Sequence, residues 1–270
     1  MVHENVEQAL AALRRGEFVV VADDVGRENE GDLIVAAERL TPEALAFMVQ
    51  NTSGIVCVAL PKERLAQLAL PLMVAENQES HQTAFTVSVD LKHGTTTGIS
   101  AADRCATIRA LASADTEASD LVRPGHVFPL RAHHRGVLGR RGHTEAAVDL
   151  TRLAGLRPAG ALCEIIDSKG NLVRGRELQG FAEQYGLPFV TIDEIAAYRR
   201  ARERLVEHVS SARMPTKHGV FVAHAYRSSV DGCEHVALVR GEVSGASNVL
   251  VRVHSECATG DIFGSVRCDC

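Results

Sequence analysis

Runs of apolar residues with helical spacing alternate along most of the chain with short runs typical of buried strands. Helical spacing over 6–15 ends at Gly16, and a short apolar strand is predicted over 18–22. Further helices are predicted over 43–50, 100–111 and 143–153, and further strands over 55–60, 84–90, 126–130 and 161–166. The alternation predicts a domain that contains both helices and strands.

The pattern changes near the C-terminus. A long charged stretch over 193–211 is predicted to be helical and to end before Met214-Pro215. Short apolar strands are then predicted over 220–226, 235–239 and 249–253. We expect one domain over 1–206, followed by a linker and a β-rich, incomplete domain over 207–270, because too little sequence remains there for an independent core.

The chain has 270 residues, of which 46% are apolar and 23% charged, and its net charge is −5. It therefore has no overall basic character that would indicate nucleic acid or a membrane as a partner. No apolar run approaches the roughly 20 residues that cross a bilayer, and the N-terminus lacks the apolar core of a signal peptide. Seven cysteines, an odd number, argue against a disulfide framework. We expect a cytoplasmic protein.

A run of charged residues, Arg27 to Asp32, follows the first predicted strand. In an extended segment, residues two apart share a side, so that Glu28, Glu30 and Asp32 can converge. Clustered carboxylate oxygens suit a hard cation such as magnesium. The alternative is a solvated acidic turn.

A basic loop precedes the helix predicted to begin at His143. Its arginines, together with a glycine and a helix start, make a plausible phosphate clamp, and they are Arg131, Arg135, Arg140 and Arg141. His143 can bind a metal when it is neutral, and Thr144 can donate a hydrogen bond. An exposed basic loop with a polar helix cap is the alternative.

Two further side chains are candidates for acid–base chemistry. Glu164 lies in an apolar strand, where burial would raise its pKa toward a useful range, although strand alternation also allows it to face water. His126 follows a turn, Arg123-Pro124-Gly125, and could transfer protons near neutral pH, although a lone histidine is more often structural. The threonines at 95–97, before Gly98, could bind phosphate or only shape a turn.

Taken together, five motifs resemble the 3,4-dihydroxy-2-butanone 4-phosphate synthase family in content and order. The resemblance as a whole extends over about residues 3–205. The five motifs within it are 27–33, 96–104 (TTGISAADR), 123–130 (RPGHVFPL), 142–146 (GHTEA) and 158–164 (PAGALCE). Five ordered motifs are far more specific than any one of them.

The resemblance implies a lyase of riboflavin biosynthesis that converts D-ribulose 5-phosphate to L-3,4-dihydroxy-2-butanone 4-phosphate and formate. It implies that Glu28 and His143 hold magnesium, or manganese in its place, and that His126 and Glu164 are catalytic. The implied substrate-binding residues are Arg27, Glu28, Asp32, Arg140, Arg141, Gly142, His143, Thr144 and Glu164. It also implies the α/β (α+β) fold of that family, with mixed sheets and helices, and a homodimer whose active sites lie at the subunit interface.

One departure from the family pattern could lower the rate of catalysis. The family usually carries acidic residues where this chain has Val25-Gly26, next to the expected metal site. The alternative function is therefore a catalytically weakened dimer subunit or scaffold of the riboflavin pathway. Another metal-dependent sugar-phosphate enzyme, such as an isomerase, is a third interpretation.

The C-terminal segment resembles the start of GTP cyclohydrolase II. That resemblance implies a zinc site made by Cys257, Cys268 and Cys270. It also implies a vestigial contribution to GTP binding by Arg252, Val253, His254, Ser255 and Glu256. The chain thus resembles a bifunctional riboflavin biosynthesis protein cut short, and we expect no GTP cyclohydrolase II activity.

Overall fold

In a computed structural model, which describes residues 2–268 and the side chains of 3–268, the chain separates into two units between Leu205 and Val206. The helices of the first unit are α1 (Val2–Arg15), α2 (Pro42–Asn51), α3 (Lys62–Gln67), α4 (Ala101–Ala112), α5 (His143–Leu153), α6 (Arg176–Tyr185) and α7 (Ile192–Arg202). Its strands are β1 (Val19–Ala22), β2 (Gly31–Ala36), β3 (Cys57–Leu60), β4 (Val89–Leu91), β5 (Leu121–Arg131), β6 (Gly160–Glu164) and β7 (Phe189–Thr191).

The strands of the first unit form one mixed sheet in the order β4-β5-β3-β6-β2-β1-β7. The pairs β1–β7 and β3–β5 are parallel, and the other neighbours are antiparallel. The predicted α/β fold with a mixed sheet is therefore confirmed.

Both faces of this sheet are covered by helices. Along β1, Val20 and Ala22 enter one apolar core, while Val19 and Val21 enter the other, because successive side chains of a strand point to opposite faces. Helices α2, α3, α4 and α6 contribute to the first core, and α1, α5 and α7 contribute to the second. Burial on both faces explains why these strands are continuously apolar.

Local signals explain where several helices begin. Thr41 accepts a hydrogen bond from the backbone N–H of Ala44, with Pro42 at the first helical position of α2. Ser100 caps α4 through the backbone N–H of Asp103. None of the described helices is long and apolar enough to span a bilayer.

The second unit consists of a three-stranded antiparallel sheet in the order β10-β9-β8, followed by irregular backbone and one π-helical turn, Ala258–Ile262. Its strands are β8 (Val206–Thr216), β9 (Gly219–Ser228) and β10 (Glu234–Val239).

Three predicted elements differ from the structure. The helix predicted over 193–211 ends at Arg202, because the backbone beyond it pairs as β8 with β9. Of the strand predicted over 84–90, the last two residues belong to β4. The strand predicted over 249–253 is absent from the described residues, since no neighbouring strand pairs with this exposed segment.

Candidate active site

A cavity of about 440 Å³ lies where β2 begins and β6 ends, beside the start of α5. In the antiparallel register of the two strands, Asp32 lies directly opposite Glu164. Cross-strand neighbours share one face and have Cβ atoms about 5 Å apart, so the sheet itself brings the two carboxylates together. Both residues line the cavity.

The loop between β1 and β2 is organised by a carboxylate that sequence reasoning missed. Asp23 accepts hydrogen bonds from the backbone N–H groups of Glu28 (3.1 Å) and Glu30 (2.9 Å). It also accepts one from Arg27 Nη1 (3.0 Å). The side chain of Asp23 is fully buried. It therefore holds the loop in the shape that points Glu28 into the cavity.

His143 begins α5, and its side chain is buried against this loop. Its Nδ1 lies 3.9 Å from Glu28 Oε2 and 3.9 Å from Asp32 Oδ1. Burial lowers the pKa of His143, although the carboxylates of Asp23 and Glu28 act in the opposite direction. The imidazole is therefore neutral near pH 7, which is the form that binds a metal ion.

Two buried polar atoms of this cluster lack a hydrogen-bond partner in the described part of the chain, His143 Nε2 and Asp32 Oδ1. Buried polar groups are nearly always paired, so such atoms are typical of a site that binds a ligand. Ligand atoms of Asp23, Glu28 and His143 lie within 4.8 Å of one another. Oxygen and imidazole donors in this arrangement fit a divalent cation.

Burial raises the pKa of Asp32 well above its ordinary value, and the neighbouring carboxylates of Glu164 and Glu28 raise it further. A carboxyl with a raised folded pKa destabilises the fold increasingly as pH rises from the unfolded pKa toward the folded one. The ionised Asp32 carboxylate therefore destabilises the folded protein, and a bound cation would offset this cost.

We predict that Asp32→Asn raises the unfolding temperature of the metal-free protein, and does so more at pH 8 than at pH 5. Each kcal/mol should appear as about 2–4 °C in a domain of this size. The measurement is thermal unfolding in a chelator at both pH values. Glu183→Gln, at an exposed carboxylate of α6, is the matched control and should change neither midpoint. Equal midpoints for Asp32→Asn and the native protein at pH 8 would contradict the prediction.

Arg140 also lines the cavity, but its guanidinium is largely used by the protein. It donates to the backbone carbonyl of His81 through Nε (3.2 Å) and Nη2 (3.0 Å) and to Thr83 Oγ1 (3.0 Å). Its Nη1 donates to the buried carboxylate of Glu145 at 2.7 Å. A Cβ at Gly142 would overlap the Arg140 guanidinium, so glycine is needed beside this pair.

The loop that Arg140 holds supplies cavity residues that sequence reasoning missed, Glu79, His81 and Thr83. Desolvation acts in the opposite direction, yet hydrogen bonds from the backbone N–H groups of His81 and Thr83 lower the pKa of Glu79 to about 2. The only signal of this loop in the sequence is a polar run, 76–83, between apolar segments. Nothing in that run indicates which strand it approaches.

Most of the site residues predicted from the sequence meet at the cavity, and they are Arg27, Glu28, Asp32, Arg140, His143, Thr144 and Glu164. The described cavity wall does not include His126, Arg141 or Gly142. Arg141 instead pairs with Asp193 at 2.8 Å. The side chain of His126 is 43% exposed and contacts Asp90.

The described lining carries more negative than positive charge. Five carboxylates line it, those of Glu28, Glu30, Asp32, Glu79 and Glu164, against the guanidinium groups of Arg27 and Arg140. Arg27 is itself paired with Glu28 at 2.9 Å. A lining with this excess of carboxylates favours a cation, or an anionic ligand that carries a cation, over an anionic ligand alone.

Comparison with known proteins agrees with this geometry. The model of the 3,4-dihydroxy-2-butanone 4-phosphate synthase family matches residues 7–198. The chain belongs to this family. The model of the GTP cyclohydrolase II family matches residues 207–270. Both resemblances seen in the sequence are therefore confirmed, in the expected order.

Relatives carry names from riboflavin biosynthesis. The chain is 57% identical to the riboflavin biosynthesis protein RibBA of Nocardia farcinica, over 99% of this chain and 65% of that protein. It is 55% identical to the chloroplastic bifunctional riboflavin biosynthesis protein RIBA 1 of Arabidopsis thaliana, over 98% of this chain and 49% of that protein. The chain thus spans about half to two thirds of the length of these relatives.

Solved structures of the family share the fold. RibBX, a two-domain 3,4-dihydroxy-2-butanone 4-phosphate synthase from A. baumannii, is 44% identical with a TM-score of 0.78, covering 88% of this chain and 70% of that one. A synthase crystallised in complex with two magnesium ions is 47% identical with a TM-score of 0.70, covering 73% of this chain and 97% of that one.

In the second unit, two of the predicted zinc ligands are neighbours. The Sγ atoms of Cys257 and Cys268 lie 3.4 Å apart, although ten residues separate them in the chain. His254 Nε2 lies 2.8 Å from Asp261 Oδ2. Cys270 lies outside the described residues. The other residues predicted to contribute to GTP binding, 252, 253, 255 and 256, are exposed.

Proposed function

We propose that the first unit converts D-ribulose 5-phosphate to L-3,4-dihydroxy-2-butanone 4-phosphate and formate, with magnesium or manganese as cofactor. One observation carries the proposal, the unpaired buried atoms of His143 and Asp32 in a cavity with an excess of carboxylates. Such a wall suits a cation-bound sugar phosphate and suits neither an apolar ligand nor a free anion.

Glu28 and His143 would hold the cation, because Asp23 already accepts three hydrogen bonds from its own loop. When bound, a divalent cation polarises the carbonyl of a sugar and stabilises the negative charge of an enediolate. The candidates to bind the substrate phosphate are the hydroxyl of Thr144 and the guanidinium N–H groups of Arg27 and Arg140 that the protein does not use, because all three residues line the cavity.

Glu164 is the candidate acid–base group inside the cavity. Ser53 Oγ donates to Glu164 Oε2 at 2.6 Å, and the backbone N–H of Ser53 donates to the Glu164 carbonyl at 2.8 Å. The hydroxyl bond fixes Oε2 and the backbone bond fixes the main chain, which leaves Oε1 to exchange a proton with the substrate.

His126 is proposed to act on the cavity of a second copy of the chain. Its side chain is exposed and lies outside the described wall of its own cavity, whereas the family resemblance gives it an essential role. A homodimer with shared active sites would explain both the position of His126 outside its own cavity and its essential role. In such a dimer, a two-fold interface would present each His126 to the cavity of the other chain.

A catalytically weakened subunit or scaffold is the second candidate, motivated by Val25-Gly26. Val25 is 78% exposed, and Asp23 and Asp24 still organise the loop through hydrogen bonds to Glu28, Glu30 and Gly26. Since Val25 points to solvent and the loop keeps its hydrogen bonds, the replacement at 25–26 leaves the loop organised, which favours the enzyme over the scaffold. The deciding experiment measures formate and the four-carbon phosphate released from ribulose 5-phosphate by the purified chain with magnesium. Release of neither product would overturn the proposal and favour the scaffold; a pentose phosphate as product would favour an isomerase.

Arg140→Ala is predicted to raise the KM for ribulose 5-phosphate and to destabilise the protein. The variant loses a guanidinium that lines the cavity and frees the loop at His81. It also removes the ion-pair partner of the buried Glu145 carboxylate, which costs about 3–5 kcal/mol. Michaelis constants and thermal unfolding measure the two effects.

Adding Glu145→Gln to Arg140→Ala separates those effects. The double variant should recover stability, because no buried charge is left unpaired, while its KM stays high. An unchanged KM in both variants would show that Arg27 or Arg141 holds the phosphate.

For the second unit we propose zinc binding at Cys257, Cys268 and Cys270. The short distance between the first two thiol groups supports it, because thiolates sharing one zinc ion lie close together. The absence of GTP cyclohydrolase II activity stays a prediction. Formation of a diaminopyrimidine product from GTP by zinc-loaded protein would contradict it. The cytoplasmic location also stays a prediction.

A further inference from the structure

Two buried carboxylates of α5 hold the basic loop, residues 131–142, that precedes this helix. Glu145 and Asp149 are each 1% exposed, and residues four apart lie on one face of a helix. Glu145 accepts the backbone N–H of His133 (2.8 Å), and Asp149 accepts that of Val137 (2.8 Å). The loop is therefore fixed at two points by one helix.

The second of these points reaches Arg140 through a single peptide unit. The N–H of this unit belongs to Val137 and donates to Asp149 Oδ2, and its carbonyl belongs to Gly136. That carbonyl accepts the backbone N–H groups of Gly139 (2.9 Å) and Arg140 (3.1 Å). Asp149 thus fixes the peptide unit that holds the backbone of Arg140.

Glycine is required at position 136 for this close approach. The φ of Gly136 is +58°, and a Cβ there would overlap both carboxylate oxygens of Asp149. A side chain at this position would therefore push the peptide unit away from the carboxylate.

Arg199 of α7 holds the same arrangement from the other side. Its Nη1 donates to Asp149 Oδ2 (2.7 Å) and to the backbone carbonyl of Arg135 (2.8 Å). Its Nε and Nη2 donate to the two carboxylate oxygens of Glu203, both at 2.7 Å. Arg199 is 5% exposed, so these charge-assisted bonds are shielded from water. One buried arginine thus joins α7, α5 and the loop.

The position of Arg140 matters because little of its guanidinium is free. The N–H groups of Nε and Nη2 donate to His81 and Thr83, and one N–H of Nη1 donates to Glu145. One N–H group of Nη1 is left for a ligand. A single donor binds a phosphate oxygen well only when its distance and direction are right.

We infer that Asp149 and Arg199 are positioning residues for phosphate recognition, which hold the peptide unit 136–137 and through it the Arg140 guanidinium at the cavity. This inference rests on the proposed function, since it assumes that Arg140 binds the substrate phosphate. A residue that only stabilises the fold would lower the amount of active protein, and hence the apparent kcat at an unchanged KM. Loss of a correctly placed phosphate donor instead raises KM.

Arg199→Lys is the first test. Lysine keeps a positive charge beside Asp149 but lacks the planar fork that also reaches the Arg135 carbonyl and Glu203. We expect KM for ribulose 5-phosphate to rise by about tenfold and kcat to change by less than about threefold, at a temperature where thermal unfolding shows the variant to be folded. Arg200→Lys, the same change at the exposed next residue of α7, is the matched control and should keep the native KM.

Gly136→Ala repeats the test without changing a charged group. The added Cβ overlaps the Asp149 carboxylate, so KM should rise in the same way. Gly180→Ala is its control, because a Cβ at this position of α6 meets no atom within 4 Å, and it should keep the native KM. A native KM in either Arg199→Lys or Gly136→Ala would overturn the inference.

The effect on KM should also depend on Arg140. In the double variant Arg140→Ala/Glu145→Gln, adding Arg199→Lys should raise KM by less than about twofold, because the donor that Arg199 positions is already gone. A further rise as large as the one that Arg199→Lys causes in the native protein would overturn action through Arg140.

Hydrogen exchange tests the arrangement without substrate. The backbone amides of Val137 and Arg140 should exchange at least about tenfold faster in Arg199→Lys than in the native protein. The buried amide of Val20, in the central sheet, is the unchanged reference. Unchanged exchange at both loop amides would overturn the positioning role. Faster exchange, in a native chain that releases no formate, would leave the role of Asp149 and Arg199 in the loop standing and overturn the proposed reaction instead.

Discussion

Glu28→Gln should lower formate release by at least about 10³-fold, because a cation that stabilises an enediolate supplies several kcal/mol and each 1.4 kcal/mol is tenfold in rate. The amide keeps the shape of the side chain but removes the negative charge that faces His143 and Asp32 in the cavity. Initial rates at several magnesium concentrations measure the effect, and calorimetric magnesium titration without substrate shows whether the cation is lost.

Glu17→Gln is the control for that experiment. It removes a carboxylate from an exposed pair with Arg15, and such pairs contribute little. Its rate should equal that of the native protein. Near-native formate release by Glu28→Gln at ordinary magnesium concentrations would show that Glu28 does not hold the cation.

His143→Ala should lose turnover to the same extent, but its effect on stability differs from the expectation for an exposed loop residue. His143 is 6% exposed, so alanine leaves a buried gap at the start of α5. The rate must therefore be compared at a temperature where thermal unfolding shows the variant to be folded.

A mixture of two inactive variants, His126→Ala and Glu28→Gln, should recover about a quarter of native activity. In a homodimer with shared sites, random exchange makes half of the dimers mixed, and each mixed dimer has one intact site. That site combines Glu28 of one chain with His126 of the other. The measurement is formate release after joint refolding or co-expression of the two variants.

The matched control mixes Glu28→Gln with His143→Ala. Both residues contribute to the cavity of one chain, so every site in that mixture lacks one of them and no activity should return. Failure of the first mixture to recover activity would show that His126 does not serve the cavity of a second copy. Recovery in both mixtures would show that Glu28 and His143 act in different sites.

Several features of this protein could be deduced from local sequence. The helix starts at Thr41 and Ser100 follow from side chains that cap the next backbone N–H groups, which is a matter of adjacent residues. The five motifs and their order identified the family without any contact being known. The charged run after the first strand likewise indicated a cation site through its carboxylates, although residues 25–28 form a turn and not the extended segment that the prediction assumed.

The C-terminal part shows where local signals mislead. Residues 203–211 are rich in charge and read as helix, yet β8 begins at Val206. Its partner β9 follows only after a turn, so the choice between helix and strand depends on hydrogen bonds to distant residues.

The site depended on tertiary structure for its geometry and electrostatics. The register that sets Asp32 opposite Glu164, the burial that keeps His143 neutral, and the polar loop carrying Glu79 all arise from segments far apart in sequence. The sequence determined which chemical groups are available and where helices start, because those depend on residue type and near neighbours. Only the tertiary structure decided which groups meet, since strand register, desolvation and the Asp90–His126 pair depend on chain segments packing against one another.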